Sequence, residues 1–215
     1  MQLSAELDIG MIAPALASLG VATIHEAQGR RGLLNGLNLM VGPAFAGMAA
    51  TVSIPAGDNL GIHAAIREAP RDSVVCIASA GLGIFGVLGD ILQAAARARG
   101  IAGMVIDDGI RDLAQLEAPP SICAKAVGAR GTQKRRVLSI NGAVALGGVL
   151  VRPGDWVVGD RDGVCVVPVD QISDLLAAAR GRAAKENGIR TELARGRSTV
   201  DVLGLAGLLD KDSHL

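Results

Sequence analysis

Gly89-Asp90-Ile91-Leu92-Gln93-Ala94-Ala95-Ala96-Arg97-Ala98-Arg99-Gly100 continues through Ile101-Ala102-Gly103-Met104-Val105-Ile106-Asp107-Asp108-Gly109-Ile110 into Arg111-Asp112, and the stretch reads as loop, helix, strand, loop. Leu88, Ile91, Leu92 and Ala95 fall at i, i+3, i+4 and i+7, which predicts a helix with that face buried. Gly100 is the stop signal expected just past a helix. Met104-Val105-Ile106 predicts a short buried strand, and Asp107-Asp108-Gly109 a turn. A helix that returns alongside a strand brings the two ends of the segment together. Asp90 at the helix start and Arg111-Asp112 beyond the strand are therefore expected to face one pocket.

The residue types give that pocket a chemistry. The first amides of a helix, here those of Ile91 and Leu92, lack intrahelical partners and suit a carboxylate or phosphate. Arg111 adds a planar, permanently charged fork that binds a carboxylate bidentately. Asp112 supplies hard oxygen, the donor preferred by Mg²⁺ or Mn²⁺. A plainer reading of the same spacing is a loop salt bridge between Arg111 and Asp112, with Asp90 as a helix cap.

Bulk properties narrow the class. A chain of 215 residues, half apolar and a fifth charged, is globular in composition and long enough to bury one core. Twenty-one basic and twenty-one acidic residues cancel, so there is no basic footprint for nucleic acid or an anionic membrane. Phe45, Phe85 and Trp156 are the only aromatic residues, which argues against a base-stacking platform. The apolar runs are broken by Gly, Asp or Arg before the roughly 20 residues of a membrane span. Met1-Gln2-Leu3-Ser4-Ala5-Glu6 lacks the start of a signal peptide, and Cys76, Cys123 and Cys165 read as buried thiols of a reducing compartment. A cytoplasmic protein is expected. The 29 glycines, roughly twice the usual share, favour many short strands over a helical bundle.

Working outward, residues 5 to 18 predict a first helix ended by Gly20. Thr23 with Glu26 reads as a capping box for a short second helix. Phe45 to Ile54 predicts a strand, and Asp58 the cap of a helix running to about Glu68. Val74 to Ala78 predicts another strand. Gly81-Leu82-Gly83-Ile84-Phe85-Gly86 matches the G-x-G-x-x-G string, which raises a dinucleotide-dependent enzyme as a lesser alternative. In that fingerprint the glycines themselves open the helix. Here the helix is better started near Asp90, so the glycines are expected to let backbone close around a small pocket. Ser121 to Val127 predicts a strand, and Gly128 to Arg136 a basic loop, solvated or lining a pocket entrance for dianions. Three short strands are expected from Ala143 to Pro168, with Asp155 and Asp160 as turn residues. A long helix follows, its apolar face Ile172, Leu175, Leu176, Ala179 and Ala183, with Gly188 ending or kinking it.

Asp90, twenty intervening residues and then Arg111-Asp112 resembles the signature of the RraA-like family. That family contains the 4-hydroxy-4-methyl-2-oxoglutarate/4-carboxy-4-hydroxy-2-oxoadipate aldolases, which also decarboxylate oxaloacetate, and the regulator of ribonuclease E activity. Gly57-Asp58-Asn59, Gly89-Asp90-Ile91-Leu92, Arg99 to Asp107, Val151 to Asp160 and Asp162-Gly163-Val164 through Pro168 extend the resemblance, in order, over about residues 20 to 195.

The resemblance implies an α/β fold, a single layered β/β/α domain of the swivelling type with many short strands and flanking helices. It implies a domain over 1–195 and a tail over 196–215 packed on the domain or a neighbouring subunit. It implies a lyase without a Schiff base, using a divalent cation and a pyruvate enolate. Asp90, Arg111 and Asp112 would be catalytic, and Gly89, Asp90, Ile91, Leu92 and Arg111 would bind the 2-oxo acid. Asp112 would hold the metal, with Glu186 (Glu192 as fallback) reaching it through water from a neighbouring subunit of a homotrimer or hexamer. The rival from another class is a non-catalytic regulator that binds ribonuclease E. A Schiff-base route would need a pocket lysine, and Lys125 is the only internal candidate.

Overall fold

The computed structural model describes residues 9–81 and 83–212. The chain runs α1 (Ile9–Leu19), α2 (Val21–Ala27), β1 (Leu33–Leu34), β2 (Asn38–Val41), β3 (Phe45–Pro55), α3 (Leu60–Glu68), β4 (Val74–Ala80), β5 (Gly86–Leu88), α4 (Asp90–Arg99) and β6 (Gly103–Ile110). After a 3₁₀ turn at Leu113–Gln115 come β7 (Ser121–Val127), β8 (Ser139–Ile140), β9 (Val144–Leu146), β10 (Val149–Val151), β11 (Trp156–Asp160) and β12 (Gly163–Val167). The chain closes with α5 (Ile172–Ala194), α6 (Thr199–Leu203) and α7 (Ala206–Asp212).

The order β1-β12-β11-β3-β4-β6-β7-β2 forms one path, with β5 on β6 and β8 on β3, and β9–β10 pair separately. Its centre is the parallel set β3, β4, β6 and β7. The eleven-residue β3 joins two layers: Phe45–Met48 pair with antiparallel β11, and Ala49–Pro55 pair with parallel β4. Three apolar cores result. Val52, Ile54, Ile77, Met104 and Ile106 pack under Ile62 and Ile66 of α3 and Leu92 and Ala96 of α4. Phe45, Val74, Cys76, Val105 and Cys123 meet Leu146, Val157 and Val164 between the strand layers. Trp156, Val158 and Val167 pack against Ile12, Leu16, Ile24, Leu175 and Leu176 of α1, α2 and α5. The layered mixed α/β domain expected from sequence is present, with helices on both outer faces.

Several local expectations change. Residues 5–8 of the expected first helix lie outside the described ones. Thr23 sits inside α2, whose N-cap is Gly20 with no side-chain bond. The tertiary partner there is Asp160, whose Oδ2 accepts the Val21 N–H at 2.8 Å, while Oδ1 serves the expected turn through the Asp162 N–H at 2.8 Å. Four strands, not three, lie between Val144 and Val167. Helix α5 runs unbroken through Gly188 to Ala194, and its buried residues end at Ala179.

Helix α4 begins at Asp90 and ends on left-handed Gly100, as the spacing predicts. Its buried face is rotated, however, to Leu92, Gln93 and Ala96, and Ile91 is 76% exposed. Gln93 can be buried because its Oε1 accepts the Glu117 N–H at 2.9 Å. The expected turn Asp107-Asp108-Gly109 instead remains in β6, with a register shift between Ile106 and Gly109. Both carboxylates are matched there. Asp107 pairs with Lys125 at 2.6 Å, and buried Asp108 accepts the Ser79 hydroxyl and the Phe85 N–H, each at 2.7 Å. The G-x-G-x-x-G string leads into β5 rather than into a helix, so it lacks the glycine-to-helix geometry of a pyrophosphate site.

Candidate active site

The two ends of the Gly89–Asp112 segment do meet. The Arg111 N–H donates to the Leu88 carbonyl at 2.9 Å, locking the residue after β6 beside the last residue of β5, two positions before α4 begins. Gly89 is buried, and the space its missing side chain leaves is filled from across the loop. A β-carbon there would collide with Asp112 Oδ2 and lie 3.2 Å from Arg111 Cγ and Nε. Gly86 makes the same allowance, since its β-carbon would sit 2.9 Å from Arg111 Cβ and 3.1 Å from Cδ. Asp112 holds a left-handed conformation, φ 59°, ψ 32°, which costs energy in a residue with a side chain.

Arg111 Nε and Asp112 Oδ2 are 3.5 Å apart, with side chains 41% and 39% exposed. A long, wet ion pair of this kind contributes about 0–1 kcal/mol. It leaves both groups available for other partners. At the helix start, the first intrahelical bond is Gln93 N–H to the Gly89 carbonyl, 3.1 Å. The Leu88 carbonyl, which a longer helix would offer Leu92, is occupied by Arg111, so the Leu92 amide has no helical acceptor. The Ile91 amide differs from expectation: it donates to Asp90 Oδ1 at 2.8 Å. Asp90, the first helical residue after the N-cap Gly89, thus takes up its neighbour's amide while remaining exposed beside the site.

Beyond Gly86, which adjoins both Arg111 and Gly128, the 57–59 turn and the 128–136 loop enclose a separate cleft. Gly57, φ 69°, lets the Phe85 ring approach to 2.7 Å from where a β-carbon would be. Asp58 is 6% exposed. The N-cap of α3 is Asn59 and not the expected Asp58, whose Oδ1 nevertheless accepts the Leu60 N–H at 2.9 Å while its Oδ2 accepts the amides of Arg135 at 2.8 Å and Arg136 at 3.0 Å. Burial pushes this carboxyl up, but the three N–H donors and the Arg135 charge outweigh it and hold it below the ordinary 3.8. Asn59 is buried and donates to the Val87 carbonyl at 3.0 Å, while its Oδ1 has no partner among the described residues. A cleft of about 430 Å³ lies here, lined by Gly57, Asp58, Phe85, Gln133, Arg135 and Arg136 among others. A larger cavity of about 800 Å³ lies between α1, the start of β3 and the α3–β4 turn, and none of the expected site residues lines either cavity.

The remaining candidates lie apart. Glu186 and Glu192 are on α5, which packs on α1 and α2. Glu186 pairs with Arg182 at 3.1 Å and Arg190 at 3.3 Å, and Glu192 with Arg195 and Arg197. Lys125 is held by Asp107. His63 is exposed on α3, and partial burial and the Lys134 charge keep it below the usual 6.5. The three thiols are free and buried, which pushes each up to about 12. Among the described residues no cluster of three metal-ligating side chains occurs. No helix among them is long and apolar enough to cross a membrane. Sequence reasoning missed Asp108, whose Oδ1 fixes the Phe85 end of the glycine loop, and the grip of Asp58 on Arg135 and Arg136. The Asp-Asp-Gly turn signal hid the first, and no local pattern announces the second.

The profile of the RraA-like family, Aldolase/RraA, matches residues 21–166, and the chain belongs to that family. A Halalkalibacterium halodurans protein named "Putative 4-hydroxy-4-methyl-2-oxoglutarate aldolase" is 34% identical over 184 residues, 84% of this chain and 82% of that one. Streptomyces coelicolor RraAS2, described as an unusual member of the RNase ES inhibitor RraA protein family, gives a TM-score of 0.75 at 28% identity, over 84% of this chain and 96% of that one. An uncharacterised Pseudomonas syringae protein gives 0.81 at 24% identity over 94% and 98%, a likeness of fold.

Proposed function

We propose that this chain is a carbon–carbon lyase that releases pyruvate from 4-hydroxy-4-methyl-2-oxoglutarate or 4-carboxy-4-hydroxy-2-oxoadipate and decarboxylates oxaloacetate. The observation that carries the reading is the contact of Gly89 with Arg111 and Asp112, which puts an open helix amide, a guanidinium and a carboxylate at one place. The named relative from H. halodurans supports the aldolase class.

Asp112 offers one hard carboxylate, which fits Mg²⁺ or Mn²⁺, cations that keep much of their shell as water and substrate oxygen. A bound cation would supply Lewis-acid polarisation of the 2-oxo group. The chain's own groups do the rest. The Arg111 fork and the Leu92 amide orient the pyruvyl carboxylate, and the Arg111 charge faces the oxygen that becomes an enolate when the bond beyond C3 breaks. Asp90, exposed next to them, holds a water that removes the 4-hydroxyl proton in aldol cleavage and returns a proton to C3. Decarboxylation needs only the second transfer, so one site serves both reactions.

Glu186 of a neighbouring subunit would complete the site through water in a homotrimer or hexamer. This is supported by α5, which leaves the core after Ala179 and runs on to Ala194.

The test is a lactate-dehydrogenase-coupled pyruvate assay with Mg²⁺ or Mn²⁺, with and without chelator. Turnover lost on chelation, abolished in Asp112→Ala and strongly reduced in Arg111→Lys is expected. Near-normal rates in either variant overturn the assignment. The likeness to RraAS2 favours a second reading, a non-catalytic regulator that binds ribonuclease E. No pyruvate from any of the three oxo acids, with binding to that nuclease, would establish it instead.

A further inference from the structure

The loop from Gly128 to Arg136 carries Arg130, Lys134, Arg135 and Arg136. Among the described residues none of these four cations has a carboxylate within ion-pair distance. A basic run on a surface is ordinarily a solvated loop with no fixed shape. This one is pinned along its length. Its start is held by Gly128 N–H on the Ile110 carbonyl and by Gly86 N–H on the Arg130 carbonyl, both 2.8 Å. Its middle is held by Gln133 N–H on the Gly57 carbonyl at 2.8 Å and Asn59 N–H on the Gln133 carbonyl at 3.0 Å. Its end is held by buried Asp58 through the amides of Arg135 and Arg136. The anchors Ile110 and Gly86 are the immediate neighbours of the Arg111 side chain. Arg130 lies over the Phe85 ring, 4.2 Å from its centroid, and Phe85 lines the same cleft as Arg135 and Arg136.

We infer that this loop is the subsite for the far carboxylates of the oxo acid, with Arg135 and Arg136 as the specificity-determining residues. The inference rests on the proposed lyase reading, in which Arg111 holds the pyruvyl end. That end presents one carboxylate. The fragment cleaved from it carries one or two more, and these need cations placed one loop away from Arg111. Guanidinium forks held on a fixed backbone suit them, because a carboxylate is met bidentately and little ordering remains to be done on binding. The site therefore selects 2-oxo acids with two or three carboxylates over smaller monocarboxylates.

Arg135→Ala/Arg136→Ala tests this cleanly, since alanine keeps both backbone amides on Asp58. In the double variant, kcat/KM for 4-carboxy-4-hydroxy-2-oxoadipate should fall about 30-fold or more, two charge-assisted contacts being removed. The inhibition constant of pyruvate, which reaches only Arg111, should stay within about twofold, with the melting temperature unchanged. Arg135→Lys/Arg136→Lys should recover part of the loss by restoring charge without the fork. An unchanged kcat/KM, or equal losses for the tricarboxylate and for pyruvate, would overturn the subsite. If the wild type cleaves none of the oxo acids, the lyase reading fails on its own. The loop is then judged by calorimetric titration with tricarballylate and with pyruvate. A preference for tricarballylate that the double variant loses upholds the subsite, and its absence in the wild type removes it.

Discussion

Gly89→Ala separates the site from the fold. Gly89 has φ −138° and ψ −169°, ordinary extended backbone that alanine adopts freely. The substitution therefore carries no conformational strain, and it removes unfolded-state entropy worth about 0.4–1 kcal/mol of added stability. The new methyl meets Asp112 Oδ2 and comes within 3.2 Å of two Arg111 atoms. The carboxylate is the far end of a 39% exposed side chain in a weak ion pair, so it can swing toward solvent at small cost. The net change in stability should lie within about 1 kcal/mol, a shift of roughly 2–4 °C in a domain of this size. Function should not be spared. Displacing a catalytic carboxylate by about 1 Å costs on the order of 100-fold in rate. The assays are circular-dichroism melting and coupled pyruvate release across a Mg²⁺ titration. The expected result is a native melt with turnover reduced about 100-fold and a raised requirement for the cation. Wild-type turnover in Gly89→Ala would refute the claim that Asp112 works in the space that glycine leaves.

Other expectations follow from the same contacts. Asp58→Ala should destabilise the chain by on the order of 2–4 kcal/mol, because three amides lose the buried carboxylate that accepts them. Asp58 is held below 3.8 in the folded chain, so its contribution is fully present above the unfolded value and lost as pH falls through the folded one. Denaturation of wild type and Asp58→Ala should accordingly differ by a constant amount above about pH 5 and converge under stronger acid; a gap that widened in acid would reverse the assignment. Glu186→Ala removes only exposed helix pairs and should change stability by less than about 0.5 kcal/mol, yet lower pyruvate release if a neighbouring subunit uses this carboxylate. Equal activity would return Glu186 to a surface role. Treatment with borohydride during turnover should leave activity intact, since Lys125 is paired with Asp107 and the proposed mechanism forms no imine. Trapped substrate on Lys125 would contradict it.

What the sequence disclosed, and what it hid, divides by the range of the interactions involved. The start of α4 at Asp90, its stop at Gly100 and the approach of Arg111 to Gly89 were legible because helix spacing, a left-handed glycine and a returning strand are local signals. The buried face of α4 was misplaced because Gln93 reads as solvent-facing by type. Its fit in the core depends on the Glu117 amide, 24 residues on. Asp107-Asp108-Gly109 stayed in a strand for the same kind of reason, since Ser79, Phe85 and Lys125 supply partners that composition cannot display. These long-range carboxylates share a pattern. Asp58, Asp108 and Asp160 each accept backbone amides from distant segments, and two of them, Asp58 and Asp108, fix the loops that flank Arg111. A buried carboxylate that accepts several amides is costly to disturb, so it sets loop position more sharply than an apolar contact would. The Arg111–Asp112 pair, proposed as catalytic, is left half exposed and weakly coupled, free to exchange its 3.5 Å ion pair for ligands, while the structural aspartates around it are held fast. On the proposed reading, precision at this site comes from carboxylates outside the substrate contacts, and substitutions there should shift which oxo acid is preferred before they abolish turnover.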